Sequence, residues 1–189
     1  MAPWQPDPFD RHVFACAVAI AGGEPLGIGL GLSAAALAAL AARYFPGDAR
    51  FNGPGGDAPA ALEEPDLRAL LLDHARAGSD EAVWLAHILA RRSLGANHLW
   101  QDLGLPNRAD LSALIRRHFP GLAAANRGDM KWKKFFYREL CRREGMLICK
   151  APTCESCTDF DVCFAAEDGP PLSQIRQPIH SAVAAGAGS

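Results

Sequence analysis

The sequence predicts an all-α protein, and three observations carry that prediction. Alanine and leucine dominate a 189-residue chain that is 49% hydrophobic, while the β-branched residues that favour strands are sparse. N-cap residues stand at Ser33, Ser79 and Asn107, and Gly or Pro-Gly pairs follow where helices must stop. The chain also repeats a helical unit within itself. A chain of this length can bury a proper core without help from a metal, so we expect a single helical domain over residues 1–164 and a flexible tail over 165–189.

In order, the first helix is expected from Asp10 to Ala21, stopped by Gly22-Gly23. A second runs from the cap Ser33 through an alanine-leucine stretch to Phe45 and is closed by Pro46-Gly47. Asn52 to Pro59 reads as a Gly/Pro loop, and Pro65 suits the first turn of a third helix ending near Gly78. Ser79 caps a fourth over Asp80 to Leu94, ended by Gly95. Asn107 caps a fifth that reaches Phe119 before Pro120-Gly121, and a sixth spans about Asp129 to Glu144 with Gly145 beyond it. From Ala165 the chain turns to Gly, Pro, Ser and Ala without periodicity, which reads as a disordered tail.

Laid against itself at an offset of about 73, the chain matches Gly22, Leu26, Leu30, Gly31 and Leu32 with Gly95, Leu99, Leu103, Gly104 and Leu105. One inserted residue later, Ser33, Leu37, Leu40, Arg43, Phe45, Pro46, Gly47 and Asn52 match Asn107, Leu111, Leu114, Arg117, Phe119, Pro120, Gly121 and Asn126. Two pseudo-repeated helix-loop-helix units are expected. Matching positions are explained by packing and turns. The mismatches are more informative, because Pro25, Gly27, Ile28 and Gly29 give way to His98, Trp100, Gln101 and Asp102. Imidazole and carboxylate can serve a metal directly or through hydrogen bonds, so His98 and Asp102 are candidate supporting groups or extra ligands; the plainer reading has them bracing a loop.

Four of the six cysteines fall in one short segment, Cys149, Cys154, Cys157 and Cys163, spaced C-x4-C-x2-C-x5-C. Thiolates this close in sequence can converge on one centre, and Pro152 with its small polar neighbours favours an irregular loop. C-x4-C-x2-C is the opening spacing of plant-type iron–sulfur ferredoxins. Zinc is the rival, although structural zinc sites more often pair two separated knuckles, and only Cys154/Cys157 forms one here. Disulfides rank last because no export signal precedes the apolar run at Val13–Ala21, which is also too short to span a bilayer. A cytoplasmic setting, which keeps thiols reduced, is expected.

The sixth helix buries one stripe, Trp132, Phe136 and Leu140, and presents Lys131, Lys134, Arg138 and Arg142 along another. Together with Lys133, these cations either form a solvated face or dock an anion or acidic partner. Cys141, eight residues before the loop, is a core thiol or a spare ligand, whereas Cys16 among alanines reads as core. His12, His74, His87 and His118 lie in helices without a partner motif. A net charge of −2 argues against a nucleic-acid surface. No Ser/His/Asp grouping, phosphate-cradling glycine motif or paired carboxylates supports enzymatic turnover. A DNA-repair glycosylase can carry a similar cysteine loop, but its helix-hairpin-helix and catalytic residue are missing.

The run His98-Leu-Trp-Gln-Asp102-Leu-Gly-Leu, then Phe119-Pro, then Met130-Lys-Trp-Lys-Lys-Phe-Phe-Tyr-Arg138, then Cys141 and the four-cysteine segment ending Cys163-Phe164, resembles the NifQ family of nitrogen-fixation proteins. The resemblance spans about Ser79 to Phe164. It implies a non-enzymatic molybdenum-iron-sulfur protein, with Cys149, Cys154, Cys157 and Cys163 holding an iron–sulfur cluster that carries molybdenum. Molybdenum, arriving as molybdate or in sulfided form, would be donated for biosynthesis of the nitrogenase iron–molybdenum cofactor. The nitrogenase cofactor-assembly scaffold and the nitrogenase iron protein are the implied recipients, with neither nucleic acid nor membrane involved. A generic iron–sulfur electron-transfer module and a zinc-stabilised interaction domain are the alternatives.

Overall fold

The computed structural model describes residues 5–22, 24–145 and 160–172. These residues form α-helices with no strand among them, as expected. In chain order the helices are α1 (Pro8–Ile20), α2 (Leu26–Leu30), α3 (Ala34–Tyr44), α4 (Glu64–Asp73), α5 (Asp80–Ser93), α6 (Leu99–Asp102), α7 (Arg108–His118), α8 (Pro120–Ala125), α9 (Trp132–Arg143) and α10 (Phe160–Phe164). Helix α5 is central. It buries Ala82, Trp84, Leu85, Ala86, Ile88, Leu89, Ala90 and Ser93, nearly its whole circumference, and packs against α2, α4, α6 and α7. Helix α9 lies against α4 and adds Trp132, Phe135 and Phe136 to the core.

The matched segments share local geometry. In each, a short helix ends at a left-handed glycine, Gly31 with φ 67° and Gly104 with φ 73°, a region that residues with a Cβ enter only at a cost. The following leucine N–H reaches back five residues, from Leu32 to the Gly27 carbonyl at 3.0 Å and from Leu105 to the Trp100 carbonyl at 2.9 Å. Ser33 and Asn107 then cap eleven-residue helices by accepting the N–H of Ala36 and Asp110. Both helices end on a phenylalanine of nearly equal backbone angles, Phe45 at φ −138°, ψ 53° and Phe119 at φ −133°, ψ 58°.

Contacts between the segments are exchanged in kind. Arg43 of α3 pairs with Asp80 and Glu81 at the start of α5, both at 2.6 Å, while Arg117 of α7 pairs with Asp7 and Asp10 at the start of α1, at 2.6 and 3.1 Å. Tyr44 and His118, corresponding residues buried at 1% and 3%, reach the same two helix starts through Glu81 and Asp10. Each left-handed glycine lies against the other segment's first helix. A Cβ on Gly104 would meet the Cys16 carbonyl oxygen at 2.7 Å, and one on Gly31 would meet Arg91 Cβ at 3.2 Å.

After Phe45 and Phe119 the two segments diverge. Gly47, at φ 83°, turns the first into a 3-10 turn at Ala49–Phe51. Pro120 follows the end of α7, as expected, and also takes the first position of α8, where its missing N–H costs nothing. Helix α9 begins at Trp132 rather than Asp129, because Asp129 has φ 54° and cannot continue a right-handed helix. Of the tail expected from Ala165, residues 165–172 are described and meet α6 and α7 through specific polar contacts, and 173–189 fall outside the described residues. Such polar anchoring leaves no hydrophobic period to read.

Candidate metal centre

Of the four clustered cysteines, Cys149, Cys154 and Cys157 lie outside the described residues. Cys163 sits in α10, half-buried, with a free thiol. Among the described residues no group of three or more His, Cys, Asp or Glu side chains gathers to hold a metal ion. What the structure gives is the frame around the fourth cysteine.

That frame is the start of α9. The Lys131 N–H donates to the Cys163 carbonyl at 2.9 Å, so Cys163 lies beside the N-terminal end of a twelve-residue helix, where the helix dipole favours anions. The turn leading into α9 is itself clamped. Asn126 exchanges two hydrogen bonds with Met130, each 2.9 Å, and Arg108 donates to Asp129 Oδ2 at 2.5 Å and to the Asp129 and Met130 carbonyls at 2.9 and 3.2 Å. Phe164 covers Gly128, where an added Cβ would meet the ring at 3.1 Å.

The remaining candidates fall into separate roles. His98 Nδ1 lies 3.3 Å from Glu167 Oε1, so it meets the chain four residues beyond Cys163. Asp102, 7% exposed, pairs with Lys133 Nζ at 2.5 Å and accepts from Asn97 at 2.9 Å. This pairing takes Lys133 out of the exposed basic stripe and makes Asp102 a brace between α6 and α9. Lys134 and Arg138 are exposed, whereas Lys131 is half-buried. Arg142 pairs with Glu139, and Arg143 with Asp73.

Cys141 follows Lys131 by ten residues, about 15 Å along a helix rising 1.5 Å per residue, which places it far along α9 from the end that Cys163 adjoins. Burial, with the nearby Asp110 charge, pushes the Cys16 thiol above its ordinary pKa, so it stays protonated as a core side chain.

Glu167 and Arg108, which the sequence did not single out, hold the segment after the cysteines together with Gln101. Glu167, with a side chain 4% exposed, lies 2.9 Å from Arg108 Nε. Gln101 Nε2 donates to the Pro170 carbonyl at 2.9 Å. An acidic residue within an otherwise small and polar stretch was the one available signal for Glu167.

The donor set fits a thiolate-bound cluster in number and type, since four cysteines fall within fifteen consecutive positions and the one described has a free thiol on a residue whose backbone meets the start of α9. No helix among the described residues is long and apolar enough to cross a membrane.

The chain is similar to several known proteins. The chain is 40% identical to the Protein NifQ homolog of Sinorhizobium fredii, across 93% of this chain and 82% of that protein. It is 47% identical to Protein NifQ of Rhodobacter capsulatus, across 78% and 82%, and 47% identical to Protein NifQ of Azotobacter vinelandii, across 56% and 54%. No solved structure matches. The sequence model of the NifQ family matches residues 13–165, which runs from within α1 to the end of α10 and takes in all four clustered cysteines. The chain therefore belongs to the NifQ family, which serves nitrogen fixation and molybdenum processing.

Proposed function

We propose that this protein is an iron–sulfur molybdenum carrier that donates molybdenum for assembly of the nitrogenase iron–molybdenum cofactor. The observation that carries the reading is the segment Cys149–Cys163, four thiols at ferredoxin-like spacing in a chain of the NifQ family. Cys149, Cys154, Cys157 and Cys163 are the proposed ligands. When bound, the cluster supplies soft sulfur sites at which molybdenum is held as cargo. The protein's own part is to hold the cluster near the surface and present it to a recipient; it is a carrier rather than an enzyme. Recipients are the cofactor-assembly scaffold and the nitrogenase iron protein, in the cytoplasm. Exposed Lys134 and Arg138, with Lys131 at the Cys163 end of α9, are the proposed docking cations. We also read the matched segments as a pseudo-repeated pair, supported by their shared turns and exchanged ion pairs.

Replacing Cys154 or Cys157 with alanine tests the reading. Iron and molybdenum should be lost together from anaerobically purified protein. Retention of both metals by either variant would refute the ligand assignment.

A further inference from the structure

The proposed ligands account for the thiols but not for what fixes the last of them in space. Cys163 is held from both sides. Upstream in space, the Lys131 N–H binds its carbonyl at 2.9 Å. Downstream in sequence, Glu167 enters a recess between His98 and Arg108, and Gln101 takes the Pro170 carbonyl. The α10 turn between them is closed by the Ala165 N–H bonding to the Asp161 carbonyl at 2.8 Å.

Arg108 does not need Glu167 to satisfy its charge. Its two terminal nitrogens are engaged by Asp129 and by the Asp129 and Met130 carbonyls, while Nε lies 2.9 Å from Glu167 as an ion pair without a hydrogen bond. Glu167 in turn has its side chain withdrawn from water to 4% exposure, which costs free energy unless cations meet it. Its partners come from a different part of the chain, the start of α6 and the start of α7. The contact therefore ties the segment carrying Cys163 to the rigid second unit, through the same arginine that clamps the turn into α9.

We propose that Glu167 is a positioning residue for Cys163: seated between His98 and Arg108, it fixes the backbone that carries the fourth thiol at the N-terminal end of α9. The inference rests on the reading of Cys163 as a metal ligand, although the clasp itself is a property of the metal-free chain.

The test uses the full-length protein with Glu167→Ala and the near-isosteric Glu167→Gln. In reduced, metal-free protein, labelling of each cysteine by N-ethylmaleimide is followed by peptide mass spectrometry. Local opening sets the reactivity of a half-buried thiol, so Glu167→Ala should label Cys163 about tenfold faster while Cys16 keeps its wild-type rate; Glu167→Gln should fall between. In anaerobically loaded protein, a chelator should strip iron from Glu167→Ala about tenfold faster than from wild type, because a ligand that must first be ordered binds less tightly. Wild-type labelling of Cys163 in Glu167→Ala would overturn the proposal. Equal acceleration at Cys16 in both variants would also overturn it, since Glu167 would then act on the whole fold. If Cys163 labelling responds but wild-type protein never holds iron, the clasp stands and the carrier reading falls.

Discussion

The two matched segments are built alike and finished differently. The first is closed by backbone. Gly27 bridges to Gly55, and a Cβ there would overlap the Pro54 carbonyl oxygen; the Gly56 N–H donates to the Leu32 carbonyl at 2.7 Å. Arg91 staples this closure, bonding to the Ile28, Gly56 and Ala58 carbonyls and to fully buried Glu64 at 3.0 Å. The second segment is closed by side chains. Where the first has Pro25, Ile28 and Gly29, it offers His98, Gln101 and Asp102, and these receive Glu167, the Pro170 carbonyl and Lys133. Glycine-lined backbone packing leaves one permanent arrangement, whereas side-chain contacts can hold a segment that also carries a ligand. Similar local turns thus close one segment on itself and receive the Cys163 segment in the other.

The largest effect is expected where the first segment is stapled. Arg91→Met leaves a buried carboxylate short of its main partner and should lower unfolding stability by about 3–5 kcal/mol in urea denaturation, with little change in Cys163 reactivity. The staple also has a pH signature. Burial alone would raise the Glu64 pKa, but the Ala60 N–H, Arg91 and Arg68 outweigh it and hold it below the ordinary 4.5. A lowered folded value means the contribution is complete above pH 4.5 and is lost as pH falls through the folded value. Wild-type stability should therefore drop on acidification below that point, and Arg91→Met should flatten the drop.

The exchanged glycines come next. Gly31→Ala and Gly104→Ala each add a left-handed penalty of about 1–2 kcal/mol and a crowded Cβ worth about as much again. Similar losses for both by thermal unfolding would support the pairing of the two segments, and a loss confined to one would break it. The smallest effect concerns docking. Replacing Lys131 and Lys134 with glutamine should slow molybdenum transfer by about tenfold or less at low salt, with the difference vanishing at high salt and iron content unchanged.

Much of the fold was legible because capping chemistry is local. Ser33, Ser79 and Asn107 announced helix starts that the structure keeps within a residue. The short helices α2 and α6 were not legible, since four or five residues give no period to count. Pro120 marked the end of α7 as expected, but that it also opens α8 was not legible, because proline both follows a helix end and opens a helix and only the chain's path decides between them. At the candidate centre, Cys163 was visible in the cysteine spacing, and His98 and Asp102 as departures from the internal match. Their partners were not: Lys133 looked like part of a basic stripe until Asp102 claimed it, and Glu167 sat in a stretch whose contacts are polar and distant in sequence.

Metal analysis of the wild-type protein, purified without oxygen and assayed for iron, molybdenum and zinc alongside its visible spectrum, tests the carrier account most directly. Iron and molybdenum present together, with the broad charge-transfer absorption of an iron–sulfur centre, is the predicted result. A colourless protein holding zinc alone would contradict it.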